Sequence, residues 1–328
     1  MRVRKIDALM RAYEGAVPGA AVAVRSDGAT IFRRAYGLAN VEERVAATTE
    51  TNYRLASLTK QFTAAAILLL REDARLSIDD PVRRWLPTLP VSADEMIIGH
   101  LLTHTSGLID YEDLIPEGTE AQLHDADVLR LLEGEDRRYF TPGTKYRYSN
   151  SGYALLALIV ERAAGQNFAA FLRGRIFLPL GMRTTVAFEE GISCVSDRAF
   201  GYTAKRQSWL RSDQNLTSAT LGDRGIYSSI EDLAKWDAAL YDGRLLRPES
   251  LRLAFQPAIP TGDPAVQYGF GWQISGGTVW HSGETTGFRN VIVRHLELRS
   301  TVIVLTNRDH PEPYPIALAI GALFWQTR

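Results

Sequence analysis

The two ends of the chain carry the apolar pattern of strands. Residues 20–24 and 30–36 flank Ser26-Asp27-Gly28, which is typical of a short hairpin loop. Runs rich in aromatic and β-branched residues predict further strands at 268–274, 290–294 and 301–306. Because an isolated hairpin is marginally stable at best, we expect the strands of both ends to form one sheet.

Helical spacing dominates the middle of the chain. After Ser57, the apolar residues Phe62, Ala65, Ala66 and Leu69 recur on one face of a helix. Periodicity and start signals predict other helices at residues 5–13, after Pro81, and at 125–132, 151–164, 168–177, 231–240 and 315–325.

These elements predict an α/β (α+β) fold, in which an antiparallel sheet flanked by helices is built from both chain ends. The division we expect is an α/β sheet domain of residues 1–56 and 188–328 and an inserted, mostly helical region of residues 57–187. The sequence contains no internal repeat or low-complexity linker between them. We therefore expect one compact unit, with its functional site between the two parts.

Composition is that of a soluble globular protein, with 45% hydrophobic and 23% charged residues among 328. The 37 Lys and Arg residues nearly balance the 38 Asp and Glu residues, and no long run of one sign would attract phosphates. Nucleic acid is therefore not an expected partner. The longest apolar run, residues 62–70, is too short to cross a bilayer, so no membrane span is expected.

The first residues do not resemble a secretory signal, because Asp7, Arg11 and Glu14 stand where an apolar run would be needed. We expect the chain as given to be cytoplasmic, or periplasmic or extracellular if a leader was removed. Cys194 is the single cysteine, which rules out internal disulfides.

Ser57-Leu-Thr-Lys60 opens the predicted helix that contains Phe62. Three-residue spacing puts the Ser57 hydroxyl and the Lys60 amine on one helix face, one turn apart. A serine at a helix N-terminus has a free backbone N–H at the positive end of the dipole, which favours an oxyanion nearby. Ser57 could instead cap the helix beside a solvated Lys60, and for an arbitrary Ser-x-x-Lys that interpretation is about ten times more common.

Two further polar motifs follow at large separations. Tyr148-Ser-Asn150 lies on a predicted loop before a helix, where polar side chains can point into a cleft. A phenol can shuttle a proton if a cationic amine beside it lowers its pKa. His281-Ser-Gly283 is predicted on a strand, where glycine permits close approach of a substrate backbone. Taken singly, Asn150 could be a helix cap, Tyr148 half-buried against the core and His281 a structural histidine.

The three motifs in this order resemble those of the serine β-lactamase and penicillin-binding protein superfamily. Tyr-x-Asn and His-x-Gly are similar to its class C branch, which also holds D-alanyl-D-alanine carboxypeptidases, D-aminopeptidases and family VIII-type carboxylesterases. The resemblance covers roughly residues 10–325 and includes Leu101-Leu-Thr-His-Thr-Ser-Gly107, Pro142-Gly-Thr, Tyr148-Ser-Asn-Ser-Gly-Tyr153, Pro179-Leu-Gly-Met182 and Tyr227-Ser-Ser-Ile-Glu-Asp-Leu233.

The resemblance implies a β-lactamase/transpeptidase-like fold and a serine hydrolase that acts through an acyl-enzyme on an ester, amide or β-lactam. It makes Ser57 the nucleophile and makes Lys60 and Tyr148 the proton-transfer pair. An oxyanion hole would consist of the backbone N–H groups of Ser57 and Glu284. The implied substrate-binding residues are Asn150, which would also be a partner of Lys60, together with His281, Gly283, Glu284 and Arg289.

Two departures from the family pattern bear on the substrate. His281 stands where many relatives have Lys, and its charge is only partial near neutral pH. We therefore expect uncharged esters or amides to be handled at least as well as β-lactams or peptides with a free carboxylate. Arg224 stands where relatives usually have a small residue, and it could either meet a substrate carboxylate or pair with Asp223 at the surface. Arg289 is a comparable candidate.

No cofactor or metal is expected, because His100 and His104 lie four residues apart with no Glu or Cys cluster to complete a ligand set. The expected partner is a small-molecule or peptide-like substrate. Ester, β-lactam and D-amino-acid peptide hydrolysis share this machinery, so all three classes stay open. The competing interpretation is a penicillin-binding or scaffold protein that is acylated without efficient turnover.

Overall fold

The two ends of the chain meet in one eight-stranded sheet in the computed structural model, which describes residues 1–206 and 208–325. In chain order the strands are β1 (Ala20–Ser26), β2 (Ala29–Tyr36), β3 (Leu38–Asn40), β4 (Val45–Ala46), β5 (Tyr53–Arg54), β6 (Val186–Ala187), β7 (Tyr202–Lys205), β8 (Ser208–Arg211), β9 (Ile226–Ser228), β10 (Ile259–Pro260), β11 (Gln267–Tyr268), β12 (Gln273–Ser275), β13 (Thr278–Thr285), β14 (Phe288–His295) and β15 (Ser300–Thr306). The order in the large sheet is β10-β11-β12-β13-β14-β15-β1-β2, and all neighbours are antiparallel. The predicted antiparallel sheet built from both chain ends is therefore confirmed.

Helices occupy the middle of the chain and flank the sheet. They are α1 (Arg2–Met10), α2 (Lys60–Glu72), α3 (Val82–Trp85), α4 (Ile98–Leu102), α5 (Asp125–Glu133), α6 (Asn150–Ala164), α7 (Phe168–Leu172), α8 (Ile230–Asp242), α9 (Pro248–Ala254) and α10 (Pro313–Ala322). The segment Arg173–Phe177 continues α7 as a π-helix. The closing helix ends at Ala322 rather than at Trp325. Beyond its end, the Trp325 indole donates a hydrogen bond of 3.1 Å to Ser300 Oγ in β15.

Both faces of the sheet are buried, which explains the nearly continuous apolar runs of its central strands. Alternate residues of a strand point to opposite faces. In β1, Val22 and Val24 join a core that includes residues of α1 and α10. Ala21 and Ala23 join the larger core on the other face, which includes residues of α2, α6 and α8.

The helix α2 is the centre of the larger core. Its residues from Lys60 to Leu70 are all buried, and the Phe62 ring lies 4.4 Å from that of Trp236 in α8. The apolar helix α6 is buried beside it, as expected of a helix without a polar face. The start of α2 is thereby fixed beneath the sheet, and Ser57 precedes it.

A small three-stranded sheet of order β5-β9-β6 joins distant parts of the chain. The strand β5 lies just before residue 56, and β6 lies at the end of the predicted inserted region. The division at residues 56 and 187 stays a prediction.

The single strand predicted at residues 268–274 is wrong. The chain turns between β11 and β12, with a hydrogen bond of 2.8 Å from Gly269 N–H to Trp272 O. At Gly271 φ is +76°, and a Cβ there would lie 2.8 Å from Lys60 O. The turn therefore packs against the start of α2, a contact that the strand pattern does not reveal.

A buried charge cluster attaches α8 to the sheet. Asp237 accepts hydrogen bonds of 2.8 Å from Nε of Arg25 in β1 and Nε of Arg294 in β14, and a third of 2.8 Å from the Thr301 hydroxyl in β15. All of these side chains are buried. The cluster involves none of the three motifs.

Candidate active site

Ser57 lies in a 3-10 turn, Ala56–Thr59, that links β5 to α2. The predicted helix therefore begins with a tighter turn, and the α-helix proper starts at Lys60. Ala56 has a φ of 52°, in the left-handed region that costs a non-glycine residue about 1 kcal/mol or more. The turn leaves the Ser57 side chain partly exposed above the buried Lys60.

The Lys60 amine lies at the centre of the site and contacts three groups. Its Nζ lies 3.0 Å from Ser57 Oγ, 2.9 Å from Asn150 Oδ1 and 3.1 Å from the backbone carbonyl oxygen of Asp223. The side chain is completely buried. The structure thus brings together the first two predicted motifs, ninety residues apart in the chain.

Burial is the main cause that lowers the pKa of Lys60 to about 7, against an ordinary value of 10.5. The carboxylate of Asp223 opposes this shift, and the guanidinium of Arg224 adds to it. An amine with this pKa is partly neutral at neutral pH and can accept the proton of the adjacent hydroxyl.

We expect kcat/KM for an uncharged ester to depend on pH through Lys60. The neutral amine is the form that accepts a proton, so activity should fall about tenfold per pH unit below an apparent pKa near 7 and should be level above it. A series of kcat/KM values from pH 5 to 9 measures this fall in activity at low pH, which we call the acid limb of the profile. Activity that is instead highest below the limb would contradict the assignment.

Asp110 is the control for this experiment. Burial, with a further contribution from Glu112, raises the pKa of the Asp110 carboxyl to about 6, so it also titrates near this range. The limb should persist in Asp110→Asn, whereas its loss there would assign it to Asp110. Burial lowers the pKa of His281 to about 3 and lowers that of His104 well below its ordinary value, so neither histidine can produce the limb.

Asn150 is oriented by an acidic residue that the motifs did not reveal. It is the first residue of α6, and Ser149 is the N-cap, so Asn150 is not a helix cap. Its Oδ1 accepts from Lys60, and its Nδ2 donates a hydrogen bond of 3.1 Å to Glu112 Oε1. The amide therefore presents its oxygen to Lys60.

Tyr148 lies beside the amine, with Lys60 Nζ 5.0 Å from the centre of its ring. Burial raises the pKa of the Tyr148 phenol well above its ordinary value, and a hydrogen bond with Ser57 only partly opposes this. The lowered pKa, which the sequence interpretation set as a condition for a proton shuttle, is therefore not found. Tyr148 therefore keeps its proton and can act as a hydrogen-bond donor.

His281 lies on β13 and is buried, which corrects the expectation of a partial positive charge. Its Nδ1 lies 2.5 Å from the carbonyl oxygen of Ser282, and its Nε2 lies 2.8 Å from the Tyr268 hydroxyl. Because a carbonyl oxygen only accepts, Nδ1 carries the proton and Nε2 accepts from Tyr268. Both nitrogens are thus bound within the protein, and burial keeps the ring neutral by lowering its pKa to about 3.

The strand β13 passes directly beside the turn that carries Ser57. Among the described residues, β13 pairs with β12 as far as Trp280, and from His281 to Thr285 it pairs with β14 alone. A Cβ at Gly283 would lie 2.1 Å from the carbonyl oxygen of Leu55. A side chain at this position would therefore collide with the protein's own backbone, and the substrate contact expected of Gly283 stays a prediction.

Arg224 is buried, so its placement at the surface is wrong, although its pairing with Asp223 is found. Its Nε lies 2.7 Å from Asp223 Oδ2. Its two terminal nitrogens donate to Thr217 Oγ1 and Glu112 Oε1. Each of the three guanidinium nitrogens donates to a group within the protein, which argues against a direct contact with a substrate carboxylate.

Arg289 and Glu284 face each other on β14 and β13. Arg289 Nη1 donates hydrogen bonds of 2.9 Å to the carbonyl oxygens of Thr285 and Phe288, and its Nε lies 3.0 Å from Glu312 Oε1. These contacts brace the turn between the two strands. The roles of Glu284 and Arg289 toward a substrate stay predictions.

Sequence reasoning missed Glu112 and Tyr268, and it considered His104 for the site only as a metal ligand, a role that it rejected. His104 Nδ1 accepts a hydrogen bond of 3.2 Å from Ser149 N–H, and its ring lies 4.3 Å from that of Tyr148. Its place in Leu-Thr-His-Thr-Ser-Gly was an available signal. Glu112 and Tyr268 lie in no motif, and the fold alone brings them to the site.

Within residues 1–206 and 208–325, no group of three or more His, Cys, Asp or Glu side chains could hold a metal ion. The same part of the chain has no single helix long and apolar enough to cross a membrane. α6 and the helix Phe168–Phe177 pass that test as a pair, but they are bent by 75°.

The amino-acid sequence is similar to a known protein family and to named proteins of two bacteria. The sequence model of the family described as "Beta-lactamase" matches residues 3–323. Penicillin-binding protein 4* of Bacillus subtilis (strain 168) is 32% identical over 314 residues, which are 90% of this chain and 69% of that protein. D-aminopeptidase of Gluconobacter oxydans (strain 621H) is 33% identical over 311 residues, which are 92% of this chain and 58% of that protein.

A solved structure shows the same fold. The octameric penicillin-binding protein homologue from Pyrococcus abyssi superposes with a TM-score of 0.86 at 27% identity, covering 98% of this chain and 77% of that one. These comparisons confirm the resemblance to the serine β-lactamase and penicillin-binding protein superfamily that the three motifs indicated.

Proposed function

The chain belongs to the β-lactamase family, and on this basis we propose that it is a serine hydrolase that transfers an acyl group first to Ser57 and then to water. The observation that carries the proposal is the buried Lys60 amine, 3.0 Å from Ser57 Oγ and with a pKa lowered to about 7 by burial. A serine hydroxyl becomes an effective nucleophile when such a base accepts its proton.

The proposed cycle uses three side chains. As Ser57 Oγ forms a bond to the substrate carbonyl carbon, its proton passes to Lys60, and the resulting oxyanion is held by the backbone N–H groups of Ser57 and Glu284. The carbon–leaving-group bond then breaks, with the proton delivered from Lys60 through the Tyr148 hydroxyl. Water then attacks the acyl carbon while its proton passes through the Tyr148 hydroxyl to Lys60. The bond between the acyl carbon and Ser57 Oγ breaks, the acid leaves, and Lys60 returns the proton to Ser57 Oγ.

The substrate that we propose is an uncharged ester or amide. His281 is neutral and both its nitrogens are engaged, and Arg224 is engaged as well, so neither supplies a free positive charge for a carboxylate. Glu112 adds a partly exposed acid beside Asn150, with its side chain 42% exposed. Together these features disfavour anionic substrates.

A second candidate class is amides that bear a free amino group. It is favoured by the similarity to a D-aminopeptidase and by Glu112, whose Oε1 binds Asn150 and Arg224 while the carboxylate remains partly exposed. A cationic amine near this carboxylate would be attracted to it.

A substrate panel tests the proposal. Wild-type protein should hydrolyse p-nitrophenyl acetate or butyrate at least as fast, in kcat/KM, as nitrocefin or D-Ala-D-Ala peptides, and D-amino acid amides test the second class. Arg289→Ala should change the values for neutral and carboxylate-bearing substrates alike. Much faster turnover of nitrocefin or of the peptides would overturn the substrate assignment.

Intact-mass spectrometry separates hydrolysis from the competing function of a penicillin-binding or scaffold protein. A fluorophosphonate should label Ser57 in either case. A p-nitrophenyl ester should give a transient acyl adduct if the protein hydrolyses it. A stable adduct without released acid would support the binding protein instead.

A further inference from the structure

We propose that Arg224 is a positioning residue for this reaction: it neutralises the buried carboxylate of Asp223 and holds Glu112, so that Lys60 remains free to accept the Ser57 proton. The inference rests on the proposed function and concerns a residue that departs from the family pattern. Arg224 does not touch Ser57, and it acts through the groups around Lys60.

Two chains of contacts lead from Arg224 to Lys60. In one, Arg224 pairs with the side chain of Asp223 at 2.7 Å, and the backbone carbonyl oxygen of Asp223 accepts from Lys60 at 3.1 Å. In the other, Arg224 binds Glu112, Glu112 accepts from Asn150 at 3.1 Å, and Asn150 accepts from Lys60 at 2.9 Å.

Burial strengthens the effect of the Arg224–Asp223 pair on the Lys60 amine. The side chains of Asp223 and Lys60 are both fully buried, and the Arg224 side chain is 10% exposed. Among the described residues, Asp223 Oδ1 has no hydrogen-bond partner, and Asp223 Oδ2 accepts from Arg224. The buried Asp223 carboxylate therefore depends on Arg224 for its charge partner. Charges interact strongly in such an environment because little water screens them.

Other groups also face the Lys60 amine. The charged ones come from two places in the fold. Asp110 and Glu112 lie at the start of the 3-10 segment Tyr111–Leu114, and Asp223 and Arg224 lie in the loop before β9. The neutral titratable ones are Tyr148, Tyr153, His104 and His281. Arg224 is the cation of this set, and the three carboxylates act in the opposite sense on the Lys60 pKa.

The physical consequence is a change of sign between two neighbouring substitutions. Without Arg224, the unpaired Asp223 carboxylate would stabilise the Lys60 ammonium and raise the pKa of the amine. Without the Asp223 charge, Arg224 would repel the ammonium and lower that pKa. A role confined to stability predicts no such opposite effects.

The experiment compares the acid limb of kcat/KM for p-nitrophenyl butyrate in three variants. Arg224→Met should move the limb up by about one pH unit or more, so that kcat/KM at pH 6 falls about tenfold and recovers at high pH. Asp223→Asn should move it down. The double variant Asp223→Asn/Arg224→Met should return it close to the wild-type position, because both charges are gone.

The control is Asp237→Asn, which removes a buried carboxylate charge paired with two arginines away from Lys60. It should lower the melting temperature and leave the limb in place. If Arg224→Met does not fold, the downward shift in Asp223→Asn still tests the proposal.

The outcomes separate the two proposals. A wild-type protein with no hydrolysis of any ester would remove the proposed function. Wild-type activity with a limb that stays in place in Arg224→Met and in Asp223→Asn, whatever their melting temperatures, would overturn the role of Arg224 alone. A shift of the same sign in both single variants would also overturn it.

Discussion

Ser57→Ala is expected to lower kcat for p-nitrophenyl butyrate by about 10⁴- to 10⁶-fold, because it removes the hydroxyl that we propose forms the acyl-enzyme. The Ser57 side chain is small and partly exposed, so the melting temperature should hardly change. Fluorophosphonate labelling, followed by intact-mass spectrometry, should disappear with the activity.

Ser26→Ala is the matched control, because Ser26 ends β1 in the hairpin and belongs to none of the motifs. It should keep wild-type labelling and turnover. A Ser57→Ala protein that keeps more than a tenth of wild-type kcat, or that is still labelled, would show that another residue is the nucleophile.

Lys60→Arg is expected to lower kcat by about 10²- to 10⁴-fold even though it keeps the positive charge. An arginine stays protonated throughout the accessible pH range, so it cannot accept the proton of Ser57. Lys60→Met, which removes the charge, should be similarly impaired. Steady-state kinetics from pH 6 to 10 would show that alkaline pH rescues neither variant.

The remote lysine Lys235 provides the control. Its Nζ pairs with Asp232 in α8 at 2.7 Å, and its side chain is 43% exposed, so Lys235→Arg should leave kcat unchanged. Near-wild-type kcat in Lys60→Arg would show that the positive charge, not the basic amine, is what the reaction needs. Melting temperatures of both variants distinguish lost chemistry from lost folding.

The helices and central strands were predictable from local pattern. The hairpin of β1 and β2, the helix α6 and the strands β14 and β15 each have a periodicity or a turn signal of their own. The single strand predicted at 268–274 is wrong, because the chain breaks at Gly271 to pack against Lys60, and Lys60 is 211 residues away in the sequence.

The candidate site was likewise predictable only in part. Its motif residues could be named from sequence, since Ser57, Lys60, Tyr148, Asn150 and His281 occur in the order of a known family. Their protonation states could not, because burial determines them: it lowers the pKa of Lys60 to about 7 and that of His281 to about 3, and it raises that of Tyr148.

The sequence by itself determined the family, the strand and helix pattern, and the residues of the three motifs, because these depend on short-range spacing. Only the tertiary structure decided that Lys60 can be a base, that His281 is neutral and bound to Tyr268, and that Arg224 is joined to Asn150 through Glu112. The physical reason is that desolvation and charge pairing depend on distances between residues that are far apart in the chain.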